Sequence, residues 1–173
     1  MSIQTENREL ILSWYDEYSD LIVKYIASMI KDGYQAEDIM QETFLKAFQY
    51  IEKNQIQYPK TFLFRIAHNV TIDYLRKQKP IDFVKELFAK DEGASVEDIM
   101  EVREESKELF LAIRKLKPAY KQVIILRKIE EFSIADTASI LNWSESKVKS
   151  TLFRALHALE KQLVKGGFMH GTS

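Results

Sequence analysis

Three cations and two hydroxyl side chains lie close together near the carboxyl end of the sequence. They are Ser146, Lys147, Lys149, Ser150 and Arg154. Ammonium, guanidinium and hydroxyl groups donate hydrogen bonds to phosphate oxygens and to the acceptor edges of bases. The set therefore predicts binding of nucleic acid, a function in which no covalent bond is made or broken.

A helix-turn-helix over residues 132–161 would position these groups. The apolar pattern predicts a short helix over 134–141, with Ser133 as its N-cap. Asn142 falls at the turn, where a residue that tolerates left-handed dihedral angles is needed. Ser144 is then placed to cap a second helix over 145–161, which would lie in a DNA major groove.

The second helix of this motif is amphipathic. Its apolar positions are expected to face the core, and they are Val148, Leu152, Ala155, Leu156 and Leu159. The open face then carries Ser146, Lys147, Lys149, Ser150, Phe153, Arg154 and His157. The pattern is also consistent with a plain helical hairpin that has a solvated cationic face.

The charge of the chain is uneven along its length. The net charge of −1 is unusual for a nucleic-acid binder. Residues 60–79 nevertheless carry five Lys/Arg against one Asp/Glu, 112–141 carry six against three, and 142–173 carry five against two. Residues 1–59 carry five against ten and 80–111 four against ten. Two basic blocks separated by an acidic one are expected of two DNA-facing surfaces, or of chance clustering on solvated helices.

Composition excludes several classes of function. The chain of 173 residues has no Cys and only three His, which argues against disulfides, zinc fingers and metal sites. No phosphate loop, nucleophile motif or cofactor motif occurs, so neither an enzyme nor a bound cofactor is expected. No apolar run reaches the length of a membrane span, and we expect a soluble, cytoplasmic protein.

Helical periodicity predicts an all-α protein of two small domains. Five Gly and three Pro are few breakers for this length, and three helices are predicted over 10–30, 35–53 and 61–79, the last closed by Pro80. Outside its apolar stripe, the third helix carries Arg65, His68, Asn69, Asp73, Arg76 and Lys77.

The second domain is predicted after an acidic linker. The linker covers 80–95, with one helical turn around 83–88, and separates a domain of 1–79 from one of 96–165. Further helices are predicted over 96–116 and 119–129, ahead of the helix-turn-helix. The tail, 166–173, is expected to be disordered.

At this point three segments show a family resemblance. Residues 136–141, 144–150 and 154–155 resemble the DNA-reading domain of extracytoplasmic-function (ECF) sigma factors, the small alternative specificity subunits of bacterial RNA polymerase. Residues 36–47 resemble that family's polymerase-binding helix, and 62–77 its promoter-melting helix. The resemblance spans about 10–163.

The resemblance implies roles for specific residues. The clamp coiled coil of the polymerase's largest subunit would be bound by Asp38, Gln41, Glu42 and Phe44. The minus-ten promoter element would be held by Asn54, Gln55, Gln57, Tyr58, Lys60, Arg65, Arg76 and Lys77. The minus-thirty-five element would be read by Ser146, Lys147, Lys149, Ser150, Phe153 and Arg154.

The resemblance also implies partners. They are core RNA polymerase, through the clamp and the flap of its second-largest subunit, promoter DNA, and an anti-sigma factor, which in this family is often membrane-anchored. The chain departs from the family pattern at Phe62, often Trp, at Asn142-Trp143, in place of a Gly-containing turn, and at Lys147, commonly Thr or a small residue.

Two other functions fit parts of the pattern. A stand-alone helix-turn-helix regulator would use the amino-terminal domain to sense a ligand or to dimerise. A helical adaptor would bind proteins through its acidic segments and make no DNA contact. Structural roles are open as well, since Asp38 and Glu42 could complement a helix dipole and Tyr58 could pack on its own domain.

Overall fold

The computed structural model describes residues 2–87 and 104–167, with side chains at 2–78 and 106–167. Within those ranges it contains seven α-helices and no strand, as predicted. The chain divides into two compact units, Met1–Ile99 and Met100–Ser173. The helices are α1 (Ile3–Ala27), α2 (Gly33–Ile51), α3 (Pro59–Leu87), α4 (Glu104–Arg114), α5 (Pro118–Ile124), α6 (Ile134–Leu141) and α7 (Glu145–Lys165).

The first unit is a bundle of α1, α2 and α3, each in contact with the other two. The Asp32 carboxylate begins α2 by accepting hydrogen bonds from the backbone N–H groups of Tyr34 and Gln35. Aromatic and aliphatic side chains fill the centre. The buried positions include Trp14, Ile22, Tyr25, Ile26, Ile39, Met40, Phe44, Leu63, Phe64, Ala67 and Val70.

Helix α3 is longer than its sequence predicted at both ends. It begins at Pro59, since proline fits the first turn of a helix, where its missing N–H would be unpaired in any case. The prediction that Pro80 ends the helix is wrong, because α3 continues to Leu87. Proline removes only one backbone donor, and residues 81–87 contain no Gly or further Pro that would stop the helix.

His68 lies in the core, although it was predicted on an outer face of this helix. Its side chain is 6% exposed, and Nδ1 lies 2.8 Å from the hydroxyl of Tyr25 on α1. Burial lowers the pKa of His68 to about 4, because desolvation penalises the charged imidazolium. The Tyr25 hydroxyl gives the buried ring nitrogen of His68 a hydrogen-bond partner, which such a nitrogen needs away from water.

The second unit is built around α7, which packs against α4, α5 and α6. Of the helix predicted over 96–116, the part from Glu104 to Arg114 is helical, and 96–103 lie outside the described residues. The rest of the predicted linker, 88–95, and residues 168–173 of the predicted tail also lie outside them.

The helix predicted over 119–129 has a different form. An α-helix covers Pro118–Ile124, and a π-helical turn follows over Ile125–Ile129. In this turn the Glu130 N–H donates to the Ile125 carbonyl at 2.9 Å, which is a bond across five residues. A π-helical turn holds more residues than an α-helical turn, so a search for the 3.6-residue period does not detect it.

Candidate nucleic-acid interface

The helix-turn-helix has the caps and the turn that its sequence predicted. Ser133 accepts a hydrogen bond from the Asp136 N–H at 3.0 Å, and Ser144 accepts one from the Lys147 N–H at 3.1 Å. Asn142 has φ 58° and ψ 44°, the left-handed conformation expected of it. The Trp143 N–H then donates to the Ala138 carbonyl at 3.0 Å and closes the end of α6.

The register of α7 differs from the prediction at two positions. Thr151 is buried at 4% exposure, whereas Leu156, expected in the core, is 38% exposed. The buried residues Val148, Thr151, Ala155 and Leu159 follow 3-4-4 spacing, and this row marks the side of α7 that faces the core of the second unit. Leu152 is half-buried at the edge of that row. Counting apolar residues alone therefore rotated the predicted face.

The opposite side of α7 is open to solvent. All six residues predicted to contact the minus-thirty-five element are exposed, and Phe153 has 66% of its surface accessible. Its ring packs edge-on against His157, with centroids 4.6 Å apart. The six are Ser146, Lys147, Lys149, Ser150, Phe153 and Arg154.

Two of the three cations on this face are in contact with the protein itself. The Lys147 Nζ lies 4.4 Å from the ring centroid of Trp143, within range of a cation–π interaction. The Arg154 Nε donates to the Ser150 carbonyl at 3.3 Å, so its guanidinium runs along the helix. The contact between Trp143 and Lys147 was not predicted from the sequence, although their separation of four residues was a usable signal.

The segment that leads into α6 is held by an arginine. The Arg127 guanidinium, from the π-helical turn, donates to the carbonyl of Phe132, which is buried. Between them Glu131 has a φ of 60°, a left-handed conformation that is rare for a residue with a side chain. The Phe132 N–H also donates to the Leu126 carbonyl at 2.9 Å. These bonds fix where the helix-turn-helix begins.

The loop between α2 and α3 presents polar and aromatic side chains to solvent. Asn54, Gln55, Gln57 and Tyr58 are all exposed, and 67% of the Tyr58 surface is accessible. Asn54 also has a local role, because its Nδ2 donates to the Tyr50 carbonyl at 3.0 Å at the end of α2. The packing alternative for Tyr58 therefore has no support in this unit.

An aromatic cluster supports that loop from beneath. Phe62 lies between Tyr50, with ring centroids 5.0 Å apart, and Trp14, at 6.5 Å. Phe62 is one of the positions predicted to depart from the family pattern, and its ring makes both contacts. Side chains from all three helices, α1, α2 and α3, thus pack together next to this loop.

The predicted phosphate contacts on α3 lie at two places. Lys60 and Arg65 belong to the first two turns, and Lys60 is half-buried while Arg65 is exposed. Arg76 and Lys77 lie about three turns further on and are exposed. The Arg76 Nη1 is 3.8 Å from an Asp73 carboxylate oxygen, a pair that solvent screens on this open surface.

The polar residues predicted to bind polymerase share an exposed face of α2. Asp38, Gln41 and Glu42 are exposed, and a Glu42 oxygen lies 3.7 Å from the Lys46 Nζ. Phe44 points the other way. It is 6% exposed and packs against Tyr15 with centroids 5.0 Å apart, so it holds α2 in the bundle from inside.

In the part of the chain that the structure describes, no group of acidic, His or Cys side chains is arranged to hold a metal ion. Over the same residues, no helix is long and apolar enough to cross a membrane. What the described surface offers is a cationic face on α7, an open loop with a basic helix, and an acidic face on α2.

Comparison with known proteins identifies the family. Residues 14–81 match Sigma-70 region 2, and residues 106–159 match Sigma-70 region 4. The ECF RNA polymerase sigma factor SigW of Bacillus subtilis is 35% identical over 86% of this chain and 86% of its own length. The chain belongs to the ECF sigma factors. A second ECF sigma factor of Bacillus subtilis, SigX, is 32% identical over 86% of this chain and 81% of its own.

Solved structures share the fold of this ECF sigma factor. The sigma factor RpoE from Bartonella quintana, in complex with the anti-sigma factor NepR, superposes with a TM-score of 0.72 at 21% identity, covering 94% of this chain and 98% of that one. CnrH, in complex with the cytosolic domain of CnrY, gives a TM-score of 0.66 at 18% identity over 94% and 92%.

Membership of the family settles the function in outline. Sigma factors are specificity subunits of RNA polymerase and not enzymes, so this ECF sigma factor directs transcription as an alternative sigma factor. The stand-alone regulator is thereby disfavoured, because the amino-terminal unit matches Sigma-70 region 2.

Proposed function

We propose that α7 lies in the major groove of the minus-thirty-five promoter element, while the Asn54–Tyr58 loop and α3 hold and help to melt the minus-ten element. The observation that carries the first part is the two-sided character of α7. Its buried row faces the core of the second unit, and all six predicted contact residues are exposed on the rest of the helix. A capped helix fixed in this way presents its donors to a groove with little loss of order on binding.

The proposal for the minus-ten site rests on the exposed ring of Tyr58, which lies next to the aromatic cluster around Phe62. A base that leaves the duplex stack needs an aromatic face and hydrogen-bond groups to receive it. Tyr58 offers an accessible ring, and Gln55 and Gln57 offer exposed amides beside it. Lys60, Arg65, Arg76 and Lys77 would bind phosphates along the strand that leaves this pocket.

Polymerase is expected to hold the first unit through α2. Asp38, Gln41 and Glu42 form an exposed polar face, which suits a coiled coil that carries basic and polar side chains. Phe44 would act indirectly, by keeping that face in place. The flap of the second-largest subunit is the proposed contact of the second unit, and the site of action is the cytoplasm.

An anti-sigma factor is the proposed inhibitory partner. The support comes from RpoE of Bartonella quintana, a protein of the same fold that was solved with the anti-sigma factor NepR. We further propose that the working domains are the ranges 1–79 and 96–165, joined by the acidic segment 80–95.

Reconstituted transcription tests this assignment directly. Core RNA polymerase is mixed with the protein and a library of promoter fragments, and the transcripts are sequenced. Initiation at a shared pair of upstream elements is expected. A library that yields no transcript above core polymerase alone would contradict the proposal.

Charge reversal on α7 then tests the minus-thirty-five site. Lys149→Glu and Arg154→Glu should each abolish selective initiation and leave binding to core polymerase intact. Lys161→Glu is the matched control, because Lys161 is an exposed cation on the same helix outside the proposed contact face. Equal losses in all three variants would indicate a general effect of charge and would remove the support for this face.

A further inference from the structure

Trp143 is not one of the six residues of α7 predicted to contact DNA, yet its ring touches one of them, Lys147. Trp143 lies in the turn between Asn142 and the Ser144 cap and is half-buried. The Lys147 Nζ is 4.4 Å from its ring centroid. Long side chains on a helix lean towards its amino end, so Lys147 naturally reaches back over residue 143.

The ring restricts a side chain that would otherwise be disordered. A lysine on an open helix face samples many rotamers, and it loses that freedom when it binds an acceptor. The Trp143 face attracts the ammonium and confines it at the amino end of α7. The ammonium has three N–H donors, and those that do not point at the ring remain available to an acceptor.

The location suits base reading better than phosphate binding. The first turns of a recognition helix are the part that approaches base edges in the major groove. Lys147 belongs to the first turn of α7, whereas Arg154 lies about two turns later with its Nε on the Ser150 carbonyl. A lysine held in place there can donate to the O6 and N7 acceptors of one guanine.

We propose that Trp143 is a positioning residue that holds the Lys147 ammonium for a base-edge contact, so that sequence preference at one base pair of the minus-thirty-five element depends on a ring that does not touch DNA. This inference rests on the proposed role of α7.

The experiment uses holoenzyme reconstituted from core polymerase and a promoter library in which only the minus-thirty-five element is randomised. Four variants are compared with the parent: Lys147→Ala, Trp143→Leu, Trp143→Phe and the double Lys147→Ala/Trp143→Leu. Leucine keeps apolar bulk without a π face, and phenylalanine keeps the face. Thermal unfolding of each variant reports any loss of folded protein.

A selective effect at one base pair is expected. Lys147→Ala should relax the preference there, and Trp143→Leu should relax the same base pair by about threefold, the size of an exposed cation–π contact. Trp143→Phe should retain most of the preference. The double variant should be no worse than Lys147→Ala alone, because the ring acts only through the lysine.

Three results would overturn the inference. If Lys147→Ala lowered initiation equally on all promoter sequences, Lys147 would be a phosphate contact. A loss in Trp143→Leu that matches its unfolded fraction would make the ring purely structural. Unchanged preference in Trp143→Leu, with initiation abolished by Lys149→Glu and Arg154→Glu, would remove the role of Trp143 and leave the proposed function standing. If those two reversals also had no effect, the proposed function itself would fail.

Discussion

The Tyr25 hydroxyl and the Nδ1 of His68 lie 2.8 Å apart in the core of the first unit, and they join α1 to α3. Both groups are neutral there. Burial raises the pKa of Tyr25 and lowers that of His68 to about 4, since a charge on either ring would be desolvated. The helix that carries the proposed minus-ten contacts is thus anchored by a hydrogen bond between two uncharged buried rings.

The stability of the protein should therefore depend on pH through His68. The unfolded chain takes up this proton near pH 6.5 and the folded protein only near pH 4, so the unfolded state binds more protons between the two values. The contribution is complete above about pH 6.5 and is lost as the pH falls towards 4. Urea unfolding should show that the free energy of unfolding falls by about 2 kcal/mol between pH 7 and pH 5 because of this group.

His157 provides the control for this titration, because it is exposed on α7. His157→Gln should keep the decrease between pH 7 and pH 5, and His68→Gln should lose most of it. Parallel pH profiles for the parent and His68→Gln would show that another group is responsible.

The turn of the helix-turn-helix should tolerate glycine and resist alanine. Asn142 has a positive φ of 58°, which costs glycine nothing, costs asparagine little because its short polar side chain can hydrogen-bond locally, and costs alanine about 1 kcal/mol. Denaturant unfolding should place Asn142→Gly within a few tenths of a kcal/mol of the parent, whereas Asn142→Ala is destabilised by about 1 kcal/mol. Equal stabilities for the two variants would contradict the left-handed turn.

Salt dependence should reveal the cations of α7 that meet phosphates. Each phosphate contact adds about one unit to the slope of log affinity against log salt concentration. Lys149→Ala in reconstituted holoenzyme should lower that slope on promoter DNA by about one. Lys161→Ala, which removes an exposed cation of the same helix, should leave the slope unchanged.

The exposed face of α2 should control the affinity for core polymerase. Combining Gln41→Ala with Glu42→Lys should weaken binding by about tenfold, as expected when polar contacts at the centre of an interface are removed. Stability should change by less than about 1 kcal/mol, because the Glu42–Lys46 pair is half exposed. Glu52→Lys, at the far end of α2, is the control, and a similar loss there would argue against a local contact.

Phe153 should matter for promoter recognition and not for folding. Its ring is 66% exposed, so Phe153→Ala should leave the unfolding midpoint nearly unchanged while it weakens promoter binding. Leu159→Ala on the same helix is the contrast, because a leucine that is 9% exposed fills the core and its truncation costs about 2–5 kcal/mol. A large loss of stability in Phe153→Ala would show that the ring packs on the protein.

Local signals made the helix-turn-helix predictable. Ser133, Asn142 and Ser144 each have a side-chain chemistry that suits one backbone position, and the structure places each of them there. The limits of α6 agree with the sequence for the same reason. Caps and turns depend on neighbours in the chain, so they can be read without knowledge of the fold.

Long-range packing accounts for the features that the sequence did not reveal. His68 is polar, and only the opposing Tyr25 on α1 makes its burial possible. Thr151 and Leu156 exchanged their expected environments, because the side of α7 that is buried depends on how the helix packs against α4, α5 and α6 and not on its own polarity alone. The π-helical turn at Ile125–Ile129 has no sequence period of its own, and Pro80 shows that one breaker does not end a helix whose flanks favour it.

The chain contains two tryptophans, and one falls in each unit. Trp14 is buried in the first bundle, and Trp143 is half-buried beneath a lysine in the proposed DNA-reading unit. Each unit therefore has its own natural fluorophore. In a Trp14→Phe protein, all indole emission would come from the turn beside the recognition helix. The same side chain that orients a lysine would then act as an optical reporter. Its emission would follow promoter binding by the second unit, and also the unfolding of that unit, without an added label.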